Sequence, residues 1–139
     1  MNEIKKLKQI QASLQVFYQK LNNIHWNIEG VEFFEIHEET DSLKEDVQKF
    51  IDEIAEKIVM KGELALGSFK EVLELSLIKE LPTQAFKYEQ AAKIITEDLN
   101  VLLTESESFE WTKRVQPIFD EVLLSFDKWL WQFSKLLAK

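Results

Sequence analysis

The sequence has 139 residues, enough for one domain with a single sizeable core, and 45% of them are hydrophobic while 30% are charged. Its formal net charge of -8 argues against a surface that coats nucleic acid, because phosphate binding needs clustered lysine and arginine. It contains no cysteine, which excludes disulfides and thiolate metal ligands. We find neither a signal peptide nor a run of about 20 apolar residues, so we expect a soluble cytoplasmic protein with no membrane partner.

Apolar residues at alternating spacings of three and four predict a first long helix that starts by about Glu3. They are Leu7, Ile10, Leu14, Phe17, Leu21 and Ile24. His25 follows this stripe directly, so we expect it in the last turns of the helix, beside the core rather than in it. Gly30 then ends the helix and turns the chain toward the next one.

A second, longer helix is predicted from Phe33 to a C-terminal cap near Gly62, because no proline or glycine interrupts that interval. The long connection after it contains a predicted short helix at residues 68–76, with Ser68 as its N-cap. A connection of this length allows the next long helix to return in a direction that a tight turn would not allow. The apolar residues of the short helix that we expect to face inward are Phe69, Val72 and Leu73.

Two further long helices complete the predicted set. The third is expected to start at Thr83 and to end near Glu105. The fourth is expected to start near Gln116, or earlier with a kink, because Pro117 fits without cost only in a first turn. It is expected to continue to the end of the given sequence. The apolar stripes on which these helices depend comprise Phe86, Ile94, Ile95, Leu99, Leu102 and Leu103 in the third, and Val115, Ile118, Phe119, Val122, Phe126, Trp129, Leu130, Phe133 and Leu137 in the fourth.

Four long amphipathic helices with one crossover are typical of a ferritin-like four-helix bundle. The predicted fold is therefore all-α, with a short extra helix in the crossover between the second and third long helices. We expect a single domain over residues 1–139.

One histidine and three carboxylates recur at helical intervals along the second helix: His37, Asp41, Asp52 and Glu56. At roughly 100° per residue they lie within an arc of about 100°, so they share one face. The 15 residues from His37 to Asp52 span about 22 Å, whereas a metal ligand lies about 2 Å from its ion. One chain therefore offers two half-sites that cannot close on each other.

A second, antiparallel copy of the helix would bring these half-sites together, with a two-fold axis near Asp46. His37 and Asp41 of one chain would then face the two distal carboxylates of the other, Asp52 and Glu56. A two-fold interface is self-complementary, so the same operation makes the site twice. The sequence thus predicts a metal centre between subunits. A site within one bundle would need Glu-x-x-His pairs, and neither histidine has a glutamate three residues before it.

The pattern HWxxxGxxFxxxH, separated by fourteen residues from DxxAE, resembles the Dps family, the DNA-binding proteins from starved cells or mini-ferritins. It comprises His25, Trp26, Gly30, Phe33, His37, Asp52, Ala55 and Glu56. Asp41 falls where that family commonly has an acidic residue. The similarity continues in KEVLELSLIKE at residues 70–80 and in SFDKWLWQF at residues 125–133, so it covers essentially the whole chain.

The resemblance implies a hollow shell of twelve subunits with ferroxidase sites at its two-fold interfaces. In that family Fe(II) is oxidised, preferably by hydrogen peroxide, and stored inside as ferric oxide, which protects against oxidative damage. The implied ligands are His25, His37 and Asp41 from one subunit and Asp52 and Glu56 from its mate. Trp26 would lie next to the iron, where its ring could donate an electron. Ligands of this kind would also accept Zn(II), Mn(II) or Co(II).

Two departures from the family pattern bear on function. Some relatives bind DNA through a lysine-rich tail, whereas the early lysines here are expected within the first helix, so we expect no DNA binding. They are Lys5, Lys6 and Lys8. The acidic residue that often lines the three-fold iron entry of the family aligns with Pro117, and the candidate substitutes one turn later are Asp120 and Glu121.

Two other interpretations stay open at this point. The chain could be a non-catalytic bundle protein whose ligands hold structural zinc, or it could be a nucleoid-binding protein. Tight zinc without peroxide-dependent turnover would favour the first, and strong duplex binding at moderate salt would favour the second. Three acidic residues on the neighbouring face of the second helix could nucleate mineral or could simply be solvated: Glu38, Asp46 and Glu53.

Overall fold

Five helices and no strands make up residues 1–138, the part of the chain that the computed structural model describes. The long helices are α1 (Glu3–Asn27), α2 (Phe33–Met60), α4 (Tyr88–Glu107) and α5 (Gln116–Lys135), and the short helix α3 (Phe69–Leu75) lies in the crossover. The predicted all-α bundle with a short helix between its second and third long helices is therefore confirmed. None of the helices described is both long and apolar enough to cross a bilayer.

The predicted apolar stripe of α1 forms the centre of the core. Each of its six residues is at most 1% exposed: Leu7, Ile10, Leu14, Phe17, Leu21 and Ile24. The most extensive helix packing in the molecule is between α1 and α2, and α4 pairs in the same way with α5. Truncating one stripe residue, as in Leu14→Ala, is expected to lower the free energy of unfolding by about 2–5 kcal/mol. The stripe fixes the rotation of α1 and hence the direction in which His25 points.

A backbone bridge holds the turn between α1 and α2. The Phe86 N–H donates to the Asn27 carbonyl at 3.1 Å, and the Glu29 N–H donates to the Phe86 carbonyl at 3.0 Å. Gly30 follows with a φ of +104°, a left-handed conformation that favours glycine. The end of α1 that carries His25 is thereby attached to the segment that precedes α4.

The same bridge explains why the predicted start of the third long helix, at Thr83, is wrong. Phe86 is fully buried, as predicted, but it lies outside the helix because its N–H and carbonyl are used by the α1–α2 turn. Helix α4 begins only at Tyr88, and Lys87 before it is extended. Phe86 is thus buried because its backbone pairs with the α1–α2 turn, and not because it belongs to the apolar face of a helix.

The short helix α3 begins as predicted but faces in a different direction. Ser68 caps it by accepting a hydrogen bond from the Glu71 N–H at 3.3 Å. Val72 is 4% exposed, whereas Phe69 is 85% and Leu73 is 48% exposed, so the expectation that all three face inward is wrong for two of them. Seven residues make about two turns, and only one face of so short a helix can contact α1.

Helix α5 begins at Gln116, with Pro117 in its first turn, so the alternative of an earlier start with a kink is excluded. The helix ends at Lys135, Leu137 beyond it is exposed, and Lys139 lies outside the described residues. Some positions of the predicted stripes of α4 and α5 are only half-buried: Ile94, Leu103, Ile118, Trp129 and Leu130.

Candidate metal centre

His25 lies in the last turn of α1, as predicted, but it is buried, with 9% of its surface exposed, rather than beside the core. Its Nδ1 is 3.0 Å from the Thr40 hydroxyl, and that hydroxyl has its single hydrogen directed to a backbone carbonyl, with Ile36 at 2.7 Å and His37 at 3.2 Å. The hydroxyl must therefore accept from His25, so Nδ1 carries the proton. The lone pair of Nε2 is left free for a metal ion, an arrangement typical of ligating histidines.

His37 lies one turn into α2 and is oriented in the same way. Its Nδ1–H donates to the His25 carbonyl at 2.7 Å, because a carbonyl can only accept. The two imidazole rings stack with centroids 3.9 Å apart and planes 10° from parallel. Phe33 also stacks on His37, at 5.1 Å and 17°. Both histidines therefore have a fixed ring orientation in which Nδ1 is engaged, and Nε2 is the nitrogen that can bind a metal ion.

Burial lowers the pKa of the His25 imidazole below its ordinary value, and the positive charges of His37 and Lys44 lower this pKa further. The neutral form of an imidazole is the one that binds a metal ion. The lowered pKa therefore favours the neutral, ligating form of His25.

Asp41 lies one turn after His37 on α2, with 60% of its side chain exposed. Its Oδ1 is 3.9 Å from Nε2 of His25 and also 3.9 Å from Nζ of Lys44. Two ligand atoms that each lie about 2 Å from one ion can be separated by up to about 4 Å. The separation between His25 and Asp41 therefore admits a metal ion between them.

Trp26 follows His25 and lies on the surface, with 62% of its area exposed. The Lys44 ammonium is 5.9 Å from the centroid of its ring. The structure thus places an exposed indole at the edge of the half-site formed by His25, His37 and Asp41, which we call the histidine half-site.

The other two predicted ligands, Asp52 and Glu56, are exposed on the distal half of α2. Within residues 1–138 no three histidine or carboxylate side chains converge closely enough to hold a metal ion. A single chain thus keeps the histidine half-site apart from Asp52 and Glu56. The closed five-ligand site remains a prediction that needs a second copy of the chain.

Thr40 and Lys44 complete the histidine half-site and were not predicted. A signal for Thr40 is present in the sequence, since it is a polar residue at a stripe position between Ile36 and Leu43. It is fully buried there, as an aliphatic residue would be. The sequence carries no such signal for Lys44, because its role depends on how α1 packs against α2.

The acidic residues predicted for iron entry are at the surface of α5. Asp120 accepts a hydrogen bond from the Gln116 side chain at 2.9 Å, and Glu121 lies 3.4 Å from Lys49 on α2. Pro117 is exposed beside them. Their part in iron entry remains a prediction.

The three residues predicted to nucleate mineral have different surroundings. Asp46 accepts hydrogen bonds from the Trp129 indole at 2.7 Å and from the Ser125 hydroxyl at 3.2 Å, so it joins α2 to α5. Glu38 is exposed, and Glu53 is half-buried with its carboxylate 4.0 Å from Lys49. One Asp46 oxygen therefore has a structural use, and Glu38 has the most open surroundings.

The sequence and the fold are similar to those of known proteins over their full length. Residues 4–138 match the family model of the ferritin-like domain. The DNA protection during starvation protein of Helicobacter pylori (strain J99) is 30% identical over 138 residues, which cover 95% of this chain and 96% of that protein. This match extends across α1 to α5 and across both half-sites.

Solved structures of Dps proteins are similar in fold to this chain. Dps from Listeria innocua soaked with cobalt is 28% identical, with a TM-score of 0.93 and coverage of 100% of this chain and 94% of that one. The same protein was solved with two histidines, twelve positions apart, replaced by glycine. A Dps protein from Vibrio cholerae O1, described as a member of a broad superfamily of ferritin-like diiron-carboxylate proteins, is 26% identical, with a TM-score of 0.91 and coverage of 97% and 88%. The predicted ferritin-like bundle is confirmed.

Proposed function

The chain belongs to the Dps family of ferritin-like proteins, and on this premise we propose that it is a ferroxidase that oxidises Fe(II) between subunits and stores the ferric product. The observation that carries the proposal is the orientation of the two histidines. Each has its Nδ1–H bonded to an oxygen of the protein, which leaves Nε2 of His25 and of His37 free. Twelve positions separate them, the same spacing as the two histidines replaced in the Listeria innocua protein.

In the proposed site, the histidine half-site of one subunit faces Asp52 and Glu56 of its mate. Imidazole and carboxylate ligands suit Fe(II), and oxygen-rich ligation favours the harder Fe(III), so the ligand set assists oxidation. Two Fe(II) ions each give one electron to one hydrogen peroxide, which takes up two protons and leaves as two waters. Trp26, at the edge of the half-site, is proposed to supply an electron when only one Fe(II) is bound, which limits the escape of radicals.

The proposed assembly is a shell of twelve subunits with these sites at its two-fold interfaces. The exposed apolar residues Phe69 and Leu73 on α3 support it, because a single chain leaves them in water. Fully burying a side chain of this size is worth about 1.5–3 kcal/mol. We propose that an adjoining subunit covers them.

The Helicobacter pylori relative bears the name DNA protection during starvation protein, and we propose that protection by this chain is chemical rather than a coating of DNA. Its net charge of -8 opposes binding to a phosphate backbone. Removing Fe(II) and peroxide together protects DNA without contact, since those two reactants generate the damaging radicals. We propose that the protein is located in the cytoplasm, because a chain without cysteine forms no disulfides and so needs no oxidising compartment.

The test is anaerobic oxidation of Fe(II) by hydrogen peroxide, with the Asp52→Asn, Glu56→Gln double variant beside the wild type. We expect rapid oxidation and soluble iron with the wild type, and rates near those of buffer with the variant. The matched control is Glu89→Gln, Glu97→Gln, which removes two exposed carboxylates from α4 and is expected to oxidise iron like the wild type. Equal rates in wild type, double variant and buffer, combined with tight zinc binding, would support a structural zinc site instead.

A further inference from the structure

Lys44 lies inside the histidine half-site although it cannot bind a metal ion. It follows Asp41 by one turn of α2, and its ammonium is 3.9 Å from Oδ1 of that residue. Only 13% of its side chain is exposed, which is unusual for a lysine. The ammonium is also 5.7 Å from the ring centroid of Tyr18 and 5.9 Å from that of Trp26. A carboxylate and two aromatic rings therefore surround it.

We propose that Lys44 is a positioning residue that acts as the counter-cation of Asp41 in the metal-free half-site and competes with the incoming metal ion for that carboxylate. The proposal rests on the proposed metal site. On metal binding, the ammonium moves from Asp41 toward the faces of Tyr18 and Trp26.

The competition follows from the shared oxygen. Oδ1 of Asp41 lies 3.9 Å from Nε2 of His25 and 3.9 Å from the Lys44 ammonium. An ion about 2 Å from that oxygen would lie within about 6 Å of the ammonium if Lys44 did not move. Two cations this close repel each other, and because only 13% of the Lys44 side chain is exposed, water and salt screen them less than they would screen two fully exposed charges.

The rings of Tyr18 and Trp26 offer the displaced ammonium other favourable contacts. A lysine within about 6 Å of an aromatic centroid is attracted by the negative face of the ring, and this attraction grows as water is excluded. Tyr18 is half-buried and Trp26 is exposed, so the ammonium can exchange one favourable partner for another. Asp41 is thereby kept in place before the metal arrives, at the expense of metal affinity.

A lowered affinity suits a site that must release its iron. When the metal ion leaves, the Lys44 ammonium can return to Asp41, so the half-site is not left with an uncompensated negative charge. The effect depends on charge and not on the identity of the metal, so Co(II), Zn(II) and Fe(II) are all affected.

The test is Co(II) binding to the assembled protein, measured by calorimetry and by the visible absorption of the bound ion. Lys44→Met keeps the length of the side chain without the charge, and we expect it to bind Co(II) about tenfold more tightly than the wild type. Lys44→Gln is a second neutral variant, in case the first fails to fold, and Lys44→Arg should bind like the wild type. The matched control is Lys49→Met, which removes the same charge from an exposed position of the same helix.

Unchanged or weaker Co(II) binding in both neutral variants, relative to Lys49→Met, would overturn the competition. A cobalt-bound structure with the Lys44 ammonium still within 4 Å of Asp41 would overturn the movement. If the wild type and the neutral variants all bind no Co(II), the proposed metal site itself fails, which separates the two proposals.

Discussion

The Thr40 hydroxyl sets the tautomer of His25. Its hydrogen points to the Ile36 carbonyl one turn earlier, so its oxygen can only accept from Nδ1–H of the imidazole. An uncharged side chain on α2 thus determines which nitrogen of a residue on α1 is available to a metal ion. The bond lies entirely within the buried part of the α1–α2 interface.

Replacing Thr40 with valine tests this relationship, because valine keeps the shape and removes the acceptor. The buried Nδ1–H loses its partner, which is expected to lower the free energy of unfolding by about 1–3 kcal/mol. Loss of such an orienting group is also expected to weaken metal binding about 10- to 100-fold. Chemical denaturation and Co(II) titration measure the two effects.

The matched control for that variant is Thr96→Val on α4. Thr96 is also buried and its hydroxyl also bonds to a backbone carbonyl, that of Lys93, but it faces no histidine. We expect wild-type Co(II) binding in this control. If Thr96→Val weakened Co(II) binding as much as Thr40→Val, the orienting role of Thr40 would be refuted.

The pKa of His25 predicts a pH dependence of stability in metal-free protein. Because burial lowers this pKa in the folded state, the unfolded chain takes up the proton more readily as the pH falls below about 6.5. The stability contributed by His25 is therefore fully present above that pH and is lost toward acid. We expect the free energy of unfolding between pH 7.5 and about pH 5 to fall less steeply in His25→Gln than in the wild type. Parallel curves for the two proteins would contradict the pKa shift.

The exposed apolar face of α3 predicts an effect on assembly alone. Phe69→Glu places a charge where a neighbouring subunit is proposed to pack, and we expect light scattering to show species smaller than the wild-type assembly. Because Phe69 is 85% exposed in the single chain, the helical content should stay the same. Phe69→Leu keeps an apolar contact and is expected to assemble. Full assembly of Phe69→Glu would place this face outside the interfaces.

The ion pair between Lys20 on α1 and Asp98 on α4 predicts strong coupling between two substitutions. The charged atoms are 2.7 Å apart and both residues are buried, and burial raises the pKa of Asp98 even with Lys20 beside it. Asp98→Ala leaves a buried ammonium without its partner and is expected to cost about 3–5 kcal/mol. The double variant Lys20→Met, Asp98→Leu should recover most of that loss in denaturant titrations. If the loss of stability in the double variant equalled the sum of the losses in Lys20→Met and Asp98→Leu alone, the two residues would not be coupled.

The sequence predicted best those elements whose structure follows from periodicity. The continuous stripe of α1 and the long interval of α2 without proline or glycine predicted both helices to within a few residues. Thr83 failed as a helix start because Phe86 is buried by backbone pairing with the α1–α2 turn, a contact between distant parts of the chain. The prediction that Phe69 and Leu73 face inward was wrong because apolar character alone does not determine whether a side chain packs in the core of its own chain.

For the candidate site, the sequence predicted a set of ligands that stays a prediction, and it did not predict the surroundings of those residues. His25 stacks on His37 and lies 3.9 Å from Asp41, so the two contacts that the structure shows both involve His25. The bond from His25 to Thr40 and the position of Lys44 depend on the rotation of α1 against α2, which helical spacing does not determine. Whether Asp52 and Glu56 complete the site depends on a second chain.

The bridge between the α1–α2 turn and Phe86 links the histidine half-site to the order in which the chain is synthesised. The helices that carry His25 and His37 leave the ribosome first. The backbone bridge that fixes the end of α1 includes Phe86, so it can form only later. We expect a nascent chain that ends before Phe86 to hold its two histidines loosely and to bind metal weakly. The amide hydrogens of Glu29 and Phe86 should likewise exchange with solvent together, because each bond secures the other.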